Sequence, residues 1–140
     1  MLAAGQQCQF FGPRASLDLA DLSSRFVLFG DETSFGLAAS VAGLGEGTFL
    51  FEASSAAECA PVLARLGVTA TVSERRPGDA HLGDVEVEIV RRAADADVRF
   101  ILTGKAQSIQ RISRALKAAG VSSARILAKA YWAPGKTGLD

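Results

Sequence analysis

The chain has 140 residues, 49% of them hydrophobic and 21% charged, with fifteen basic and fifteen acidic side chains. This length predicts one domain with its own core, and a net charge of zero gives no field that would favour nucleic acid or an anionic membrane. Two cysteines and one histidine are too few for a zinc site. Because we find neither a signal peptide nor an apolar run of about 18 residues, we expect a cytoplasmic protein.

Strands and helices alternate along the chain. Residues 26–29 are a continuous apolar run, which is typical of a strand buried on both faces of a parallel sheet, and residues 98–102 predict another buried strand. Residues 48–51, 69–72 and 125–131 predict three more strands. Helices are predicted after residue 31 or 33, at 55–67 with an apolar face of Val62, Leu63 and Leu66, and before Gly120.

Segment 82–94 is ambiguous because VEVEIV alternates like a strand. A helix fits better, since a parallel sheet needs a crossover at this point. The pattern as a whole therefore predicts an α/β domain with a doubly wound, five-stranded parallel sheet.

The loops after strands one and four are the first candidate site. In doubly wound sheets, ligands bind beyond the carboxyl ends of the strands, where the strand order reverses. If strand one is central, both loops flank that crevice, and both open helices whose free N–H groups attract phosphate. The G-x-G-x-x-G fingerprint is missing, and the first loop could instead be a helix cap with solvated carboxylates. The candidates are Gly30, Asp31, Glu32, Thr33, Ser34, Thr103, Gly104 and Lys105.

Charged residues after strands two and three are candidates for binding the adenosine half of a dinucleotide. Glu52 stands where a carboxylate binds the ribose of NAD in many such folds. Arg75 and Arg76 carry guanidinium forks that suit a 2′-phosphate, although a solvated basic turn would look the same. These residues leave NADH and NADPH both open, and the arginines favour NADPH.

The end of the last strand carries Tyr131 and Trp132, the only tyrosine and tryptophan of the chain. They could shield a hydride path from water or simply seal the edge of the sheet. We expect His81 in a polar loop without a catalytic role, and Arg111 on a solvated helix face. The absence of a nucleophile–base pair fits hydride transfer, in which cofactors carry the chemistry.

Four short segments resemble one family. They are GPRAS at 12–16, GDET at 30–33, TGK at 103–105 and YWAPG at 131–135. In this order and on these elements, they resemble the carboxyl-terminal half of siderophore-interacting proteins, which are flavin-dependent ferric-siderophore reductases related to ferredoxin–NADP reductases.

The resemblance implies a ferredoxin reductase-like domain at residues 25–140 that binds NADPH or NADH. It would pass hydride to FAD for reduction of an Fe(III)-siderophore, with Lys136 near the siderophore. Residues 1–24 would be a remnant of the exit strand and linker of a flavin barrel. Since the flavin motif of the family has no counterpart, we expect FAD only with a separate or missing flavin domain, and an inactive chain without one.

The implied partners are the nicotinamide nucleotide, a flavin domain or flavoprotein, a ferric siderophore and a second copy of the chain in a homodimer. Three positions depart from the family pattern: Ala15 and Ala130 replace glycines, and Lys105 replaces an acidic residue. Lys105 would add a positive charge that suits a cofactor phosphate. The alternative is a non-catalytic module for nucleotide binding or protein interaction.

Overall fold

The structure, a computed structural model, describes residues 25–135 of the chain. The predictions for residues 1–24 and for Lys136 concern residues outside this range. Five parallel strands form one sheet in the order β3-β2-β1-β4-β5, so strand one is central, which is the condition on which the first candidate site depends. The strands are β1 (Arg25–Gly30), β2 (Glu46–Ala53), β3 (Ala70–Glu74), β4 (Arg99–Lys105) and β5 (Ile126–Trp132).

Four α-helices cover the two faces of the sheet. They are α1 (Phe35–Val41), α2 (Ala56–Leu66), α3 (Leu82–Arg92) and α4 (Ala106–Ala118). Side chains of α1 and α2 pack on one face, and those of α3 and α4 pack on the other. This arrangement confirms the doubly wound α/β prediction.

The ambiguous segment is a helix, as predicted. Leu82, Val85 and Ile89 are buried at helical spacing, whereas Val87 is 71% exposed. A strand with the same alternation would have put Val85 and Val87 on one face. The helical spacing therefore agrees better with the burial than the alternation does.

Strand β1 holds the two halves of the core together. Phe26 and Leu28 belong to the cluster under α1 and α2, and Val27 and Phe29 belong to the cluster under α3 and α4. All four side chains are at most 1% exposed. This two-sided burial is why β1 reads as a continuous apolar run rather than an alternating one.

Two details of the sequence interpretation were wrong. Strand β4 does not end at Leu102: it continues through a β-bulge at Gly104 and Lys105 and stays paired with β5 as far as Trp132. The predicted turn after the strand is therefore part of the strand.

The buried face of α2 also differs from the prediction. The helix begins after Ser55, which caps it, but its buried residues are Cys59 and Leu63. Val62 and Leu66 are 42% and 40% exposed. Within residues 25–135, no helix is long and apolar enough to cross a lipid bilayer.

Candidate functional site

Buried polar side chains gather at the carboxyl ends of β1, β2 and β4. We call this side of the sheet the carboxyl edge. Burying such groups is costly unless they are hydrogen-bonded, so their partners indicate what this edge is built to hold. The residues are Asp31, Ser34, Glu52, His81 and Thr103, each at most 1% exposed.

The loop after β1 is organised by Asp31. Its Oδ1 accepts the backbone N–H of Thr33 at 2.9 Å and also the Thr33 hydroxyl. The N–H of Asp31 donates in turn to Ser34 Oγ at 3.3 Å. These bonds cap the 3₁₀ turn Glu32–Ser34, so the helix-cap reading of this loop holds for Asp31. Glu32 and Thr33 remain exposed.

A chain of hydroxyl groups joins the loop after β1 to the carboxyl end of β4. Thr103 Oγ1 donates to the carbonyl oxygen of Phe29 at 3.2 Å, and Ser34 Oγ lies 2.7 Å from Thr103 Oγ1. Because the hydroxyl proton of Thr103 is in the bond to Phe29, Ser34 donates and Thr103 accepts in the bond between the two hydroxyls. A Cβ on Gly30 would lie 2.4 Å from Ser34 Oγ. Glycine is therefore needed here for close packing, and Gly30 ends β1 rather than making the turn.

Gly104 brings β4 against the same loop. Its φ of +102° is unfavourable for other residues, and a Cβ there would lie 2.7 Å from Asp31 Oδ2. The bulge in β4 thus lets the backbone approach a buried carboxylate.

Asp31 also fixes the end of β5. Trp132 Nε1 donates to Asp31 Oδ2 at 2.8 Å. The guanidinium of Arg75 lies 5.8 Å from the centroid of the Trp132 ring and 3.5 Å from Asp31 Oδ2. Burial and the Asp31 charge raise the pKa of the half-buried Tyr131 above its ordinary value.

Arg75 connects the ends of β1, β2 and β3 with its guanidinium fork. Its Nη2 and Nη1 donate to Glu32 Oε1 at 3.0 Å and Oε2 at 3.2 Å, and Nη1 lies 3.3 Å from Ser54 Oγ. The N–H of Ser54 donates to the same carboxylate at 2.8 Å. Burial alone would raise the pKa of Glu32, but the bonds from Arg75 and Ser54 outweigh it and lower that pKa.

Glu52 and His81 form a buried pair behind Arg75. The N–H of Arg76 donates to His81 Nδ1 at 3.1 Å, so Nε2 carries the proton toward Glu52 Oε1 at 2.7 Å. Glu52 Oε2 has no hydrogen-bond partner among the described residues. Sequence reasoning missed this role of His81, although a carboxylate ending a buried strand does signal that a buried partner is needed.

The start of α4 is electrostatically different from the loop after β1. No acidic residue lies in the first turn of α4, and no side chain caps it. Lys105 Nζ lies 3.4 Å from Asp79 Oδ1. Arg111, expected on a solvated face, instead binds Glu86 through two bonds and the carbonyl oxygen of Asp79.

The predicted candidates thus fall into two groups. Those that meet through direct contacts at the carboxyl edge are Gly30, Asp31, Glu32, Thr33, Ser34, Glu52, Arg75, Thr103, Gly104 and Trp132. Arg76 contributes only its backbone N–H, which donates to His81. Its side chain is exposed and makes no ion pair within residues 25–135. Tyr131 is half-buried near Asp31, and Lys105 pairs with Asp79 away from the loop after β1.

The sheet order is that of ferredoxin reductase-like domains, and solved structures share this fold. The flavohaem-like FAD/NAD-binding domain of nitric oxide dioxygenase from Vibrio cholerae O1 biovar El Tor is 22% identical, with a TM-score of 0.54 over 85% of this chain and 55% of that one. The siderophore-interacting protein from Acinetobacter baumannii is 12% identical, with a TM-score of 0.58 over 87% of this chain and 51% of that one.

A third structure, the flavohemoglobin from Malassezia yamatoensis with bound FAD and heme, is 18% identical, with a TM-score of 0.54 over 81% of this chain and 33% of that one. The chain thus spans about half the length of the first two structures and a third of the third. No curated protein matches it. The model of the siderophore-interacting protein family matches residues 23–135, and the chain belongs to that family.

Proposed function

We propose that this chain is the NAD(P)H-binding domain of a flavin-dependent ferric-siderophore reductase that works in the cytoplasm. The observation that carries the proposal is the convergence of the loop after the central strand β1 with the carboxyl end of β4, at the edge where such sheets bind ligands. Family membership supports a reductase over other uses of this fold.

The start of α4 is the better place for the diphosphate of the nucleotide. The first turn of a helix offers unsatisfied N–H groups and a partial positive charge. At α4 neither a cap nor an acidic residue competes for them. The 3₁₀ turn after β1 already uses its Asp31 cap, and Glu32 adds a negative charge there. The residues present therefore fit a dinucleotide that crosses the sheet at α4.

From α4 the adenosine would lie toward Glu52, Arg75 and Arg76, and the nicotinamide toward Tyr131. The Trp132 ring, which lies against the Arg75 guanidinium, would border both halves. When bound, a reduced nicotinamide would supply a hydride to the flavin of a flavin domain or flavoprotein, and the two electrons would then go one at a time to Fe(III) while the proton is released. The chain itself would orient the nucleotide and exclude water, for which the bond from Asp31 holds the Trp132 indole in place.

The test is calorimetric titration of the chain with NADH and NADPH. In the variant Ala106→Glu, a carboxylate is added in the first turn of α4, and we expect affinity to fall by roughly tenfold because the charge opposes the diphosphate. Gln110→Glu adds the same charge one turn later and serves as the control. Absence of saturable binding of either nucleotide would refute the proposal.

A non-catalytic module remains the second candidate, since the chain covers only about half of the first two solved relatives. The two candidates differ once a flavin domain of the same family is added with NAD(P)H and a ferric catecholate. A reductase domain will then oxidise the nucleotide and reduce the iron, while a binding module will do neither. We also expect a homodimer and a role for Lys136 near the siderophore, which sedimentation and Lys136→Ala kinetics can check.

A further inference from the structure

Arg75 is the one arginine of the β3 end that turns into the site, and it is surrounded by carboxylates. Its side chain is 23% exposed. Nη2 lies 3.0 Å from Glu32 and 3.5 Å from Asp31, and Nε lies 4.0 Å from Glu52. Three acidic groups thus face one guanidinium, so the cluster is negative when all of them are ionised.

Glu32 occupies the donors that a phosphate would need. A guanidinium fork binds phosphate through two parallel N–H bonds, and both terminal nitrogens of Arg75 already bind the Glu32 carboxylate. The backbone N–H of Ser54 donates to that carboxylate as well. The side chain of Glu32 therefore stands where an anionic ligand group would bind.

The charges of this ion pair are stable near neutral pH. Burial alone would lower the pKa of Arg75, but its bonds to Glu32 and the nearby carboxylates outweigh this and raise it. The pKa of Glu32 is lowered, as described above. A 2′-phosphate would have to displace an ionised carboxylate and then lie close to Asp31 and Glu52.

A ribose 2′-hydroxyl meets no such opposition, because it is neutral and can donate to a carboxylate. Glu52 Oε2 and Arg75 Nε are both buried without a hydrogen-bond partner among the described residues, so neither is open to a ligand. The accessible acceptor at this corner is Glu32, whose side chain is 39% exposed. Acceptors suit a hydroxyl, whereas a phosphate requires donors.

We propose that Glu32, by occupying the Arg75 fork, makes this site select NADH over NADPH. The inference rests on the proposed function and goes further by naming the nucleotide and the residue that selects it. It reverses the expectation that Arg75 favours NADPH, because the sequence shows the cation but not the carboxylate that neutralises it.

The test is the ratio of NADPH to NADH dissociation constants, measured by calorimetry on the full chain and on Glu32→Gln. We expect NADH to bind the unmodified chain more tightly. The variant keeps the size of the side chain but removes its charge, so NADPH affinity should rise about fivefold relative to NADH. Comparing the affinities of adenosine 2′,5′-bisphosphate and 5′-AMP, which are smaller probes, measures the effect of the same 2′-phosphate.

Glu88→Gln is the matched control, because Glu88 also pairs with arginines, Arg91 and Arg92, but on the exposed side of α3. It should leave the ratio unchanged. A second variant, Arg76→Ala, tests the exposed neighbour of Arg75. If the unmodified chain binds NADPH at least as tightly as NADH, and Arg76→Ala loses NADPH binding, the inference is overturned. The proposed function would remain intact.

An NADH preference that Glu32→Gln does not alter also overturns it. If neither nucleotide binds, both the proposed function and this inference fail. Melting temperatures of the variants verify that each is folded.

Discussion

The two edges of the sheet hold charged groups in opposite ways. At the carboxyl edge, Asp31 and Glu52 are fully buried and bound by donors that are distant in the sequence, Trp132 and His81. At the amino edge, Arg25 pairs with Asp95 at 2.8 Å, but these side chains are 44% and 37% exposed. A cavity of about 470 Å³ lies beside Arg25 at the amino edge, whereas the cavity next to Glu32 measures about 290 Å³.

The larger cavity is therefore not at the edge that carries the polar network. Exposed ion pairs contribute little to stability and are easily rearranged, while buried polar groups are kept only where their partners are provided. Buried, hydrogen-bonded polar groups therefore mark the candidate site better than the volume of a cavity does. Matched substitutions at the two edges test this difference.

The largest effect is expected for His81→Leu. Glu52 would lose its hydrogen bond while staying buried, and leaving a buried charge without its partner costs about 3 kcal/mol or more. At the other edge, Arg92→Leu removes an exposed partner of Glu88 and should change the free energy of unfolding by less than about 1 kcal/mol. Urea denaturation measures both, and equal losses would contradict the contrast.

Gly104→Ala should cost about 3 kcal/mol, because it adds backbone strain and a Cβ that meets the Asp31 carboxylate. Gly120 has a similar φ of +95° but nothing within 4 Å of an added Cβ. Gly120→Ala therefore reports strain alone, at about 1 kcal/mol. If the two variants are equally stable in denaturant, the close approach of β4 to Asp31 is not important for stability.

Asp31→Asn should cost about 2 kcal/mol, because the indole of Trp132 and the N–H of Thr33 lose a charged acceptor. Asp97→Asn is the counterpart at the amino edge, where the aspartate side chain is 78% exposed, and its effect should stay within about 0.5 kcal/mol. Thermal unfolding of both variants provides the comparison, and similar melting temperatures would argue against a special role for the buried carboxylate.

The smallest effect is a pH dependence at Glu32. A carboxyl group with a lowered pKa in the folded state stabilises the protein above its ordinary pKa of about 4.3, and that contribution is lost as the pH falls through the folded value. The unmodified chain should thus be more stable than Glu32→Gln at pH 7, by less than about 1 kcal/mol because Glu32 is partly exposed. The gap should narrow as the pH falls below that ordinary pKa; a gap that does not narrow with falling pH excludes the Arg75 pair as its source.

The sequence could predict the fold because its signals are local. The apolar run of β1 and the helical spacing of Leu82, Val85 and Ile89 each lie within a dozen residues. The bulge that extends β4 was missed, since it depends on pairing with β5.

The location of the site could be predicted from the sequence, but the contacts between its side chains could not. Position at the carboxyl edge follows from topology, so Asp31 and Arg75 could be named as candidates. Trp132 donates to Asp31 across 101 positions of sequence, and Arg75 donates to Glu32 across 43. Both contacts depend on side-chain geometry that local patterns do not contain. His81 was missed for the same reason.

Trp132 is the sole tryptophan of the chain, and it sits between a buried carboxylate and a guanidinium. The protein therefore carries a built-in optical reporter at its candidate site, with no other indole to mask the signal. Its emission should respond to the charges of Asp31 and Arg75, and a reduced nicotinamide bound nearby should quench it by energy transfer. Occupancy of the carboxyl edge can thus be followed in real time without any label.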